Sequence, residues 1–187
     1  RGNNTGGSIV YGAQSEGIIP ATASQYARLV RSELGVVPTI DCGDGVRVPI
    51  QVNGVEVFED QERGQCDNPD FKGSCRVGSR VGRLEGTNMD GTARPDVVWA
   101  YLCRSQGAEA LTQGVASVQM IGHNTRTGAT AFFEAPDADP TNTNDQTAYL
   151  RFDENGLLDG ELPGPEDSDF DIAFIPPPIQ CSQCHQA

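Results

Sequence analysis

From Val46 the apolar residues of this chain recur at every second position, and that period limits its fold more than any other feature. Val46, Val48, Ile50 and Val52 alternate with Arg47, Pro49 and Gln51, and Asn53-Gly54 supplies a type I′ turn before Val55 and Val57. This pattern predicts a β-hairpin. Pro49 has no N–H to give to a ladder, so its strand belongs at an edge or a bulge. Residues 96–103 are apolar on both faces, with Val97, Trp99 and Tyr101 on one and Val98, Ala100 and Leu102 on the other. That predicts a central strand covered on both sides. A second hairpin is expected from residues 117–123 and 129–135, joined by the polar turn 124–128. One stretch has the helical period instead. Thr22-x-x-Gln25 reads as a capping box, Tyr26, Leu29, Val30 and Leu34 share a face, and Gly35 follows as a C-cap. This predicts a helix over about 22–34, with its stripe packed on the sheet.

The expected fold is therefore mainly β, either β-sandwich-like or β-rich α+β, with one short N-terminal helix. Its 22 Gly and 12 Pro agree with short strands and many turns. Cys42, Cys66, Cys75 and Cys103 should form two disulfides in one of three connectivities, bracing a segment, 60–95, that has little periodicity. Residues 134–171 carry 12 acidic side chains against the single base Arg151, interrupted by four prolines, as in a solvated loop or arm. The chain divides accordingly into a disulfide-braced β-rich domain, 1–150, and an acidic, Pro-rich C-terminal segment, 151–187. Ile175-Pro176-Pro177-Pro178-Ile179 should be extended and stiff.

A net charge of −13 would repel phosphate backbones and anionic lipid, so neither nucleic acid nor a membrane surface is an expected partner. No run approaches the ~20 apolar residues of a membrane span. Arg1-Gly2-Asn3 shows no apolar signal core, as expected of a processed chain. Cysteine usage points to an oxidising compartment, meaning the periplasm, the cell surface or the exterior.

The remaining two cysteines stand in Cys181-Ser182-Gln183-Cys184-His185, a C-x-x-C-H. Chance placement of the six cysteines and two histidines would give this pattern about 0.2% of the time. Its spacing suits c-type haem: two thiols add to the vinyl groups as thioethers, and the adjacent imidazole turns onto the iron. A local disulfide or half a zinc site is the alternative, but zinc would need further ligands, and no second C-x-x-C exists. Over these five residues the chain resembles the c-type cytochromes. The resemblance implies one covalent haem c on Cys181 and Cys184, with His185 as an axial iron ligand. Small soluble members carry the motif near the N-terminus and fold after it, whereas here it follows the β-rich body. The haem pocket is then expected from that body, from a second subunit or from a further segment.

Sixth ligands are few: His123, Met120 and Met89. His123 is favoured because it stands at the mouth of the second hairpin, while Met120 faces the opposite side of the same strand. Arg76, Arg80 and Arg83 form a basic cluster suited to haem propionates, or else a solvated face balancing the carboxylates. Asp153, Asn155 and Asp159 offer closely spaced oxygens around Gly156, a pattern that suits calcium without matching an EF-hand. With one histidine committed to the motif, hydrolytic catalysis has no supporting signature. The expected function is an exported monohaem electron carrier or electron-transfer subunit. Its haem would be covered at an interface with a redox partner or another copy, in a homo-oligomer or filament-like assembly. A β-rich binding module with a secondary haem and a peroxidase-like enzyme are the competing classes.

Overall fold

The computed structural model describes residues 20–69, 75–105, 117–135 and 161–175. Its frame is a five-stranded antiparallel sheet in the order β2-β5-β6-β7-β8, formed by β2 (Val46–Arg47), β5 (Arg80–Thr87), β6 (Ala93–Arg104), β7 (Ser117–Asn124) and β8 (Thr130–Ala135). The expected central strand is central. β6 is the longest, and it lies between β5 and β7. The protein is thus mainly β, in the β-rich α+β form, with one sheet face closed by helix rather than by a second large sheet.

The helix α1 (Ala23–Leu34) is set by its termini. Thr22 Oγ1 accepts from Gln25 N–H at 3.2 Å, and Gln25 Oε1 accepts in return from Ala21 N–H at 2.8 Å. Gly35 ends it at φ +72°, where a Cβ would also stand 2.2 Å from the Thr87 carbonyl oxygen. No acidic residue lies in the first turn of α1. Asp171 supplies that charge from far along the chain, accepting from Ser24 N–H at 2.6 Å and from Ser24 Oγ at 2.7 Å. Ala23, Ala27, Val30 and Leu34 are buried against the sheet, and burial of Val30 and Leu34 contributes about 1.5–3 kcal/mol each.

The hairpin β3 (Ile50–Val52) and β4 (Val55–Val57) turns at Asn53 and Gly54, at φ +51° and +76°, as a type I′ turn requires. Asp67 locks the turn by accepting from both amide N–H groups, at 2.8 and 2.7 Å. The alternating run does not form one strand. It breaks at Pro49, so Val46 and Arg47 join the large sheet beside β5 while residues 50–57 form a separate hairpin. The second hairpin is β7–β8, and Asn124, fully buried, organises its turn. Its Oδ1 accepts from the N–H groups of Arg126 and Thr127, and its Nδ2 donates to the Glu33 carbonyl at 2.7 Å.

β5 lies inside the segment expected to lack periodicity. Three strand glycines accommodate the large side chains of β6: a Cβ on Gly82 would meet Tyr101 at 2.2 Å, one on Gly86 would meet Val97 at 2.5 Å, and one on Gly122 would meet Trp99 at 2.5 Å. The disulfides are Cys42–Cys103, tying the short 3-10 turn Cys42–Asp44 to the end of β6, and Cys66–Cys75.

The core continues beyond residue 150. Residues 161–175 place β9 (Glu161–Leu162) antiparallel to β1 (Ile40–Asp41) and set α2 (Phe170–Ala173) beside α1. Leu162, Phe170 and Phe174 are 2%, 0% and 2% exposed. Phe133 on β8 links the layers, with ring centroids 5.0 Å from Tyr26, 6.1 Å from Trp99, 6.0 Å from Phe170 and 6.1 Å from Phe174. Acidic residues of this stretch have fixed partners rather than only solvent. Besides Asp171, Glu166 pairs with Arg31, and Asp167 accepts from Gly164 N–H at 2.8 Å.

Candidate functional site

Strand parity divides the large sheet into two unlike faces. The inner face carries Val97, Trp99, Tyr101 and Cys103 from β6, with Val118 and Met120 from β7, and all are at most 5% exposed beneath α1 and α2. The outer face does not match the expected two-sided cover of β6. Ala100 is exposed, and Val98 and Leu102 are half-buried. Among the described residues helix packs on the inner side, because the single apolar stripe of α1 can cover one face alone.

Cross-strand register arranges the outer face in three rows. One runs Val46, Val81, Leu102, Gln119, Glu134; the next Arg83, Ala100, Ile121, Phe132; the third Glu85, Val98, His123, Thr130. The centre is apolar and the periphery charged. At the β2 edge Val46 is 73% and Val81 42% exposed. Near them Val55 and Phe58 are also open, with the Arg47 guanidinium 4.5 Å over the Phe58 ring.

His123 lies on this outer face, exposed, while Met120 is 1% exposed on the inner one, so parity separates the two candidates as the sequence predicts. The imidazole is held by its cross-strand neighbour: Nδ1 is 2.9 Å from Thr130 Oγ1, and that hydroxyl donates to the Gly128 carbonyl at 3.3 Å. Since the carbonyl can only accept, the Thr130 hydroxyl spends its proton there and accepts from His123 Nδ1–H. The hydrogen-bond network thus places a proton on Nδ1 and leaves Nε2 as the nitrogen directed away from Thr130. A histidine fixed through one ring nitrogen with the other open is the arrangement that metal-binding imidazoles use.

The three arginines do not come together. Arg80 donates from Nη1 to the carbonyls of Gly43 and Gly45, at 3.1 and 2.9 Å, which commits it to the turn that carries Cys42. Arg76 is exposed directly after Cys75. Arg83, of opposite parity to Arg80, is the one that shares the outer face with His123. Met89 is 61% exposed in the turn between β5 and β6, closed by Asn88 and Thr92.

The motif residues Cys181, Cys184 and His185 lie outside the described residues, as do Asp153, Asn155 and Asp159. Among the described residues, no group of three or more His, Cys, Asp or Glu side chains is placed to hold a metal ion, and no helix is long and apolar enough to cross a membrane. The two disulfides account for every cysteine other than those of the C-x-x-C-H. Sequence reasoning missed the partial exposure of the apolar outer face, though its signal was present: the outward residues of β6 are Val98, Ala100 and Leu102, and the neighbouring strand supplies Ile121. In comparisons with known protein families, curated proteins and solved structures, the chain matches none of them.

Proposed function

We propose that this chain is an exported monohaem c-type cytochrome or electron-transfer subunit. The observation that carries the reading is Cys181-Ser182-Gln183-Cys184-His185. Its thiols would hold the macrocycle as thioethers and His185 would hold the iron. The bound haem supplies a one-electron couple, and the chain's own residues position it, shield it and present its edge to a partner.

Several features support this reading. A zinc site completed by the upstream cysteines would need thiolates that Cys42, Cys66, Cys75 and Cys103 have given up to disulfides. Those disulfides suit the oxidising compartments of exported proteins, here the periplasm, the cell surface or the exterior. Partners are a redox protein or another copy of the chain. With a net charge of −13, a redox protein with a basic surface would be steered toward this one at low salt.

The test is a pyridine haemochrome assay on the purified full chain. The expected result is a c-type haemochrome at about one haem per chain, retained through acid-acetone extraction because thioethers hold it. Protein purified from a host competent in haem attachment that carries no covalent haem would overturn the proposal.

A further inference from the structure

We infer that Asn53 is a site of covalent self-modification, a deamidation to aspartate and isoaspartate, and that Asp67 is the latch that sets its rate. The inference is independent of the haem reading and rests on the turn between β3 and β4.

The residue pair is reactive by its chemistry. In Asn53-Gly54 the backbone nitrogen of the glycine can attack the preceding side-chain amide, because glycine has no Cβ to crowd the approach. Gly54 N gives up its proton, bonds to Asn53 Cγ and closes a five-membered succinimide, while the side-chain nitrogen leaves as ammonia. Water then opens the ring at either carbonyl. One product is aspartate, and the other is isoaspartate, with the main chain rerouted through the side chain. Only water enters as a second reactant. Both residues are exposed, and Asn53 is the one non-glycine residue at positive φ among the described residues.

The fold opposes the first step. Asp67 Oδ2 accepts from Gly54 N–H at 2.7 Å, and Oδ1 accepts from Asn53 N–H at 2.8 Å. A carboxylate bonded to the neutral amide disfavours loss of the amide proton, through the bond and through its own charge. Ring closure also needs Gly54 N to swing off Asp67 toward Asn53 Cγ, which breaks a charge-assisted hydrogen bond. Asp67 is itself firmly held. Its N–H donates to the Gln51 carbonyl at 2.8 Å, and the adjacent Cys66 is fixed by its disulfide to Cys75 and by an N–H 3.2 Å from Cys75 Sγ.

Once the reaction occurs it weakens its own restraint. Either product adds a negative charge to a turn that already holds the Asp67 carboxylate. Isoaspartate further adds a backbone atom between the paired residues Val52 and Val55, where the type I′ turn fits two ordinary residues. The hairpin then loses both its latch and its register.

The test follows Asn53 in the full-length protein through incubation at mildly alkaline pH. Peptide mapping by mass spectrometry separates Asn53-Gly54 from Asn155-Gly156, the other such pair in the sequence. The reference rate is that of the same chain unfolded in urea with its disulfides reduced. Folded wild type should convert roughly 10- to 100-fold more slowly, the factor that a hydrogen bond to a charged group supplies. Asp67→Ala should recover most of that factor. Asp67→Asn, which keeps one acceptor oxygen without the charge, should fall between, and it carries the test if circular dichroism shows that the alanine variant unfolds. Wild-type conversion at the unfolded rate would overturn the latch. Folded Asp67 variants that convert at the wild-type rate would assign the protection to the turn alone, and slower conversion would make Asp67 a base that promotes the reaction; either result overturns the inference.

Discussion

Replacing Phe170 by alanine tests whether the acidic C-terminal stretch is part of the folded body. Phe170 is fully buried, 4.7 Å from the Phe174 ring and 6.0 Å from Phe133 by centroids. A Phe→Ala change in such a site removes transfer free energy and leaves a cavity, costing about 3–5 kcal/mol. Single domains are stable by about 5–15 kcal/mol, so the variant should fold but lose a large share of its margin. With a urea slope of about 2 kcal/mol per molar, the unfolding midpoint should fall by roughly 2 M. Ser168→Ala, at an exposed position two residues before Phe170, should stay within about 0.5 kcal/mol. A double-mutant cycle with Phe133→Ala should return a coupling of about 0.5–1.5 kcal/mol, since the two rings are in contact. A Phe170→Ala loss below about 1 kcal/mol, with no coupling to Phe133, would refute the placement of residues 161–175 on the core.

Two further outcomes follow from the same structure. Removing Cys42–Cys103 by double alanine substitution should cost about 4 kcal/mol, because it opens a separation of 61 residues, whereas removing Cys66–Cys75, with a separation of 9, should cost about 2.5 kcal/mol. Urea midpoints in the reverse order would show that native packing, not chain entropy, sets the difference. Burial, reinforced by Asp44 and Asp41, raises the pKa of Tyr101. The unfolded chain therefore loses this proton first, so stability is unaffected by Tyr101 below about pH 10 and falls as pH rises beyond it. Tyr101→Phe should flatten that alkaline decline in thermal melts taken from pH 8 to 11, and an unchanged slope would contradict the assignment.

How much was legible in the sequence depended on whether a local pattern carried the information. Asn53-Gly54 needs no tertiary help to turn, and Thr22 with Gln25 starts a helix from its own hydrogen bonds, so both elements stand where residue types alone place them. β5 was hidden because its inward positions include Gly82 and Gly86, whose fitness lies in what β6 puts over them. The C-terminal stretch was hidden by its charge. Phe170 and Phe174 at helical spacing were a usable signal, but the surrounding Glu166, Asp167, Asp169 and Asp171 made the composition read as solvated. The disulfide connectivity depends on a sheet that brings Cys42 beside the end of β6, and no spacing encodes that. By contrast, the opposite facing of His123 and Met120 follows from a period of two and required only the strand.

The outer face raises a question that stability alone does not answer. A sheet with helix on one side normally turns polar residues to the other, and β8 does so in part with Thr130 and Glu134. The strands inward of that edge do not: Val98, Ala100 and Leu102 on β6 and Ile121 on β7 turn outward, Val81 joins them from β5, and the charges of Arg83, Glu85 and Glu134 stand toward the edges. An apolar centre within a charged rim is the anatomy of a recognition surface. Outward apolar side chains on a central strand, exposed at Ala100 and half-buried at Val98 and Leu102, also invite aggregation, which the net charge of −13 opposes. Polar replacement of the outward residues should then leave the stability of the body nearly unchanged in urea unfolding while lowering its tendency to self-associate. A purely structural role for those residues predicts the opposite pairing of effects.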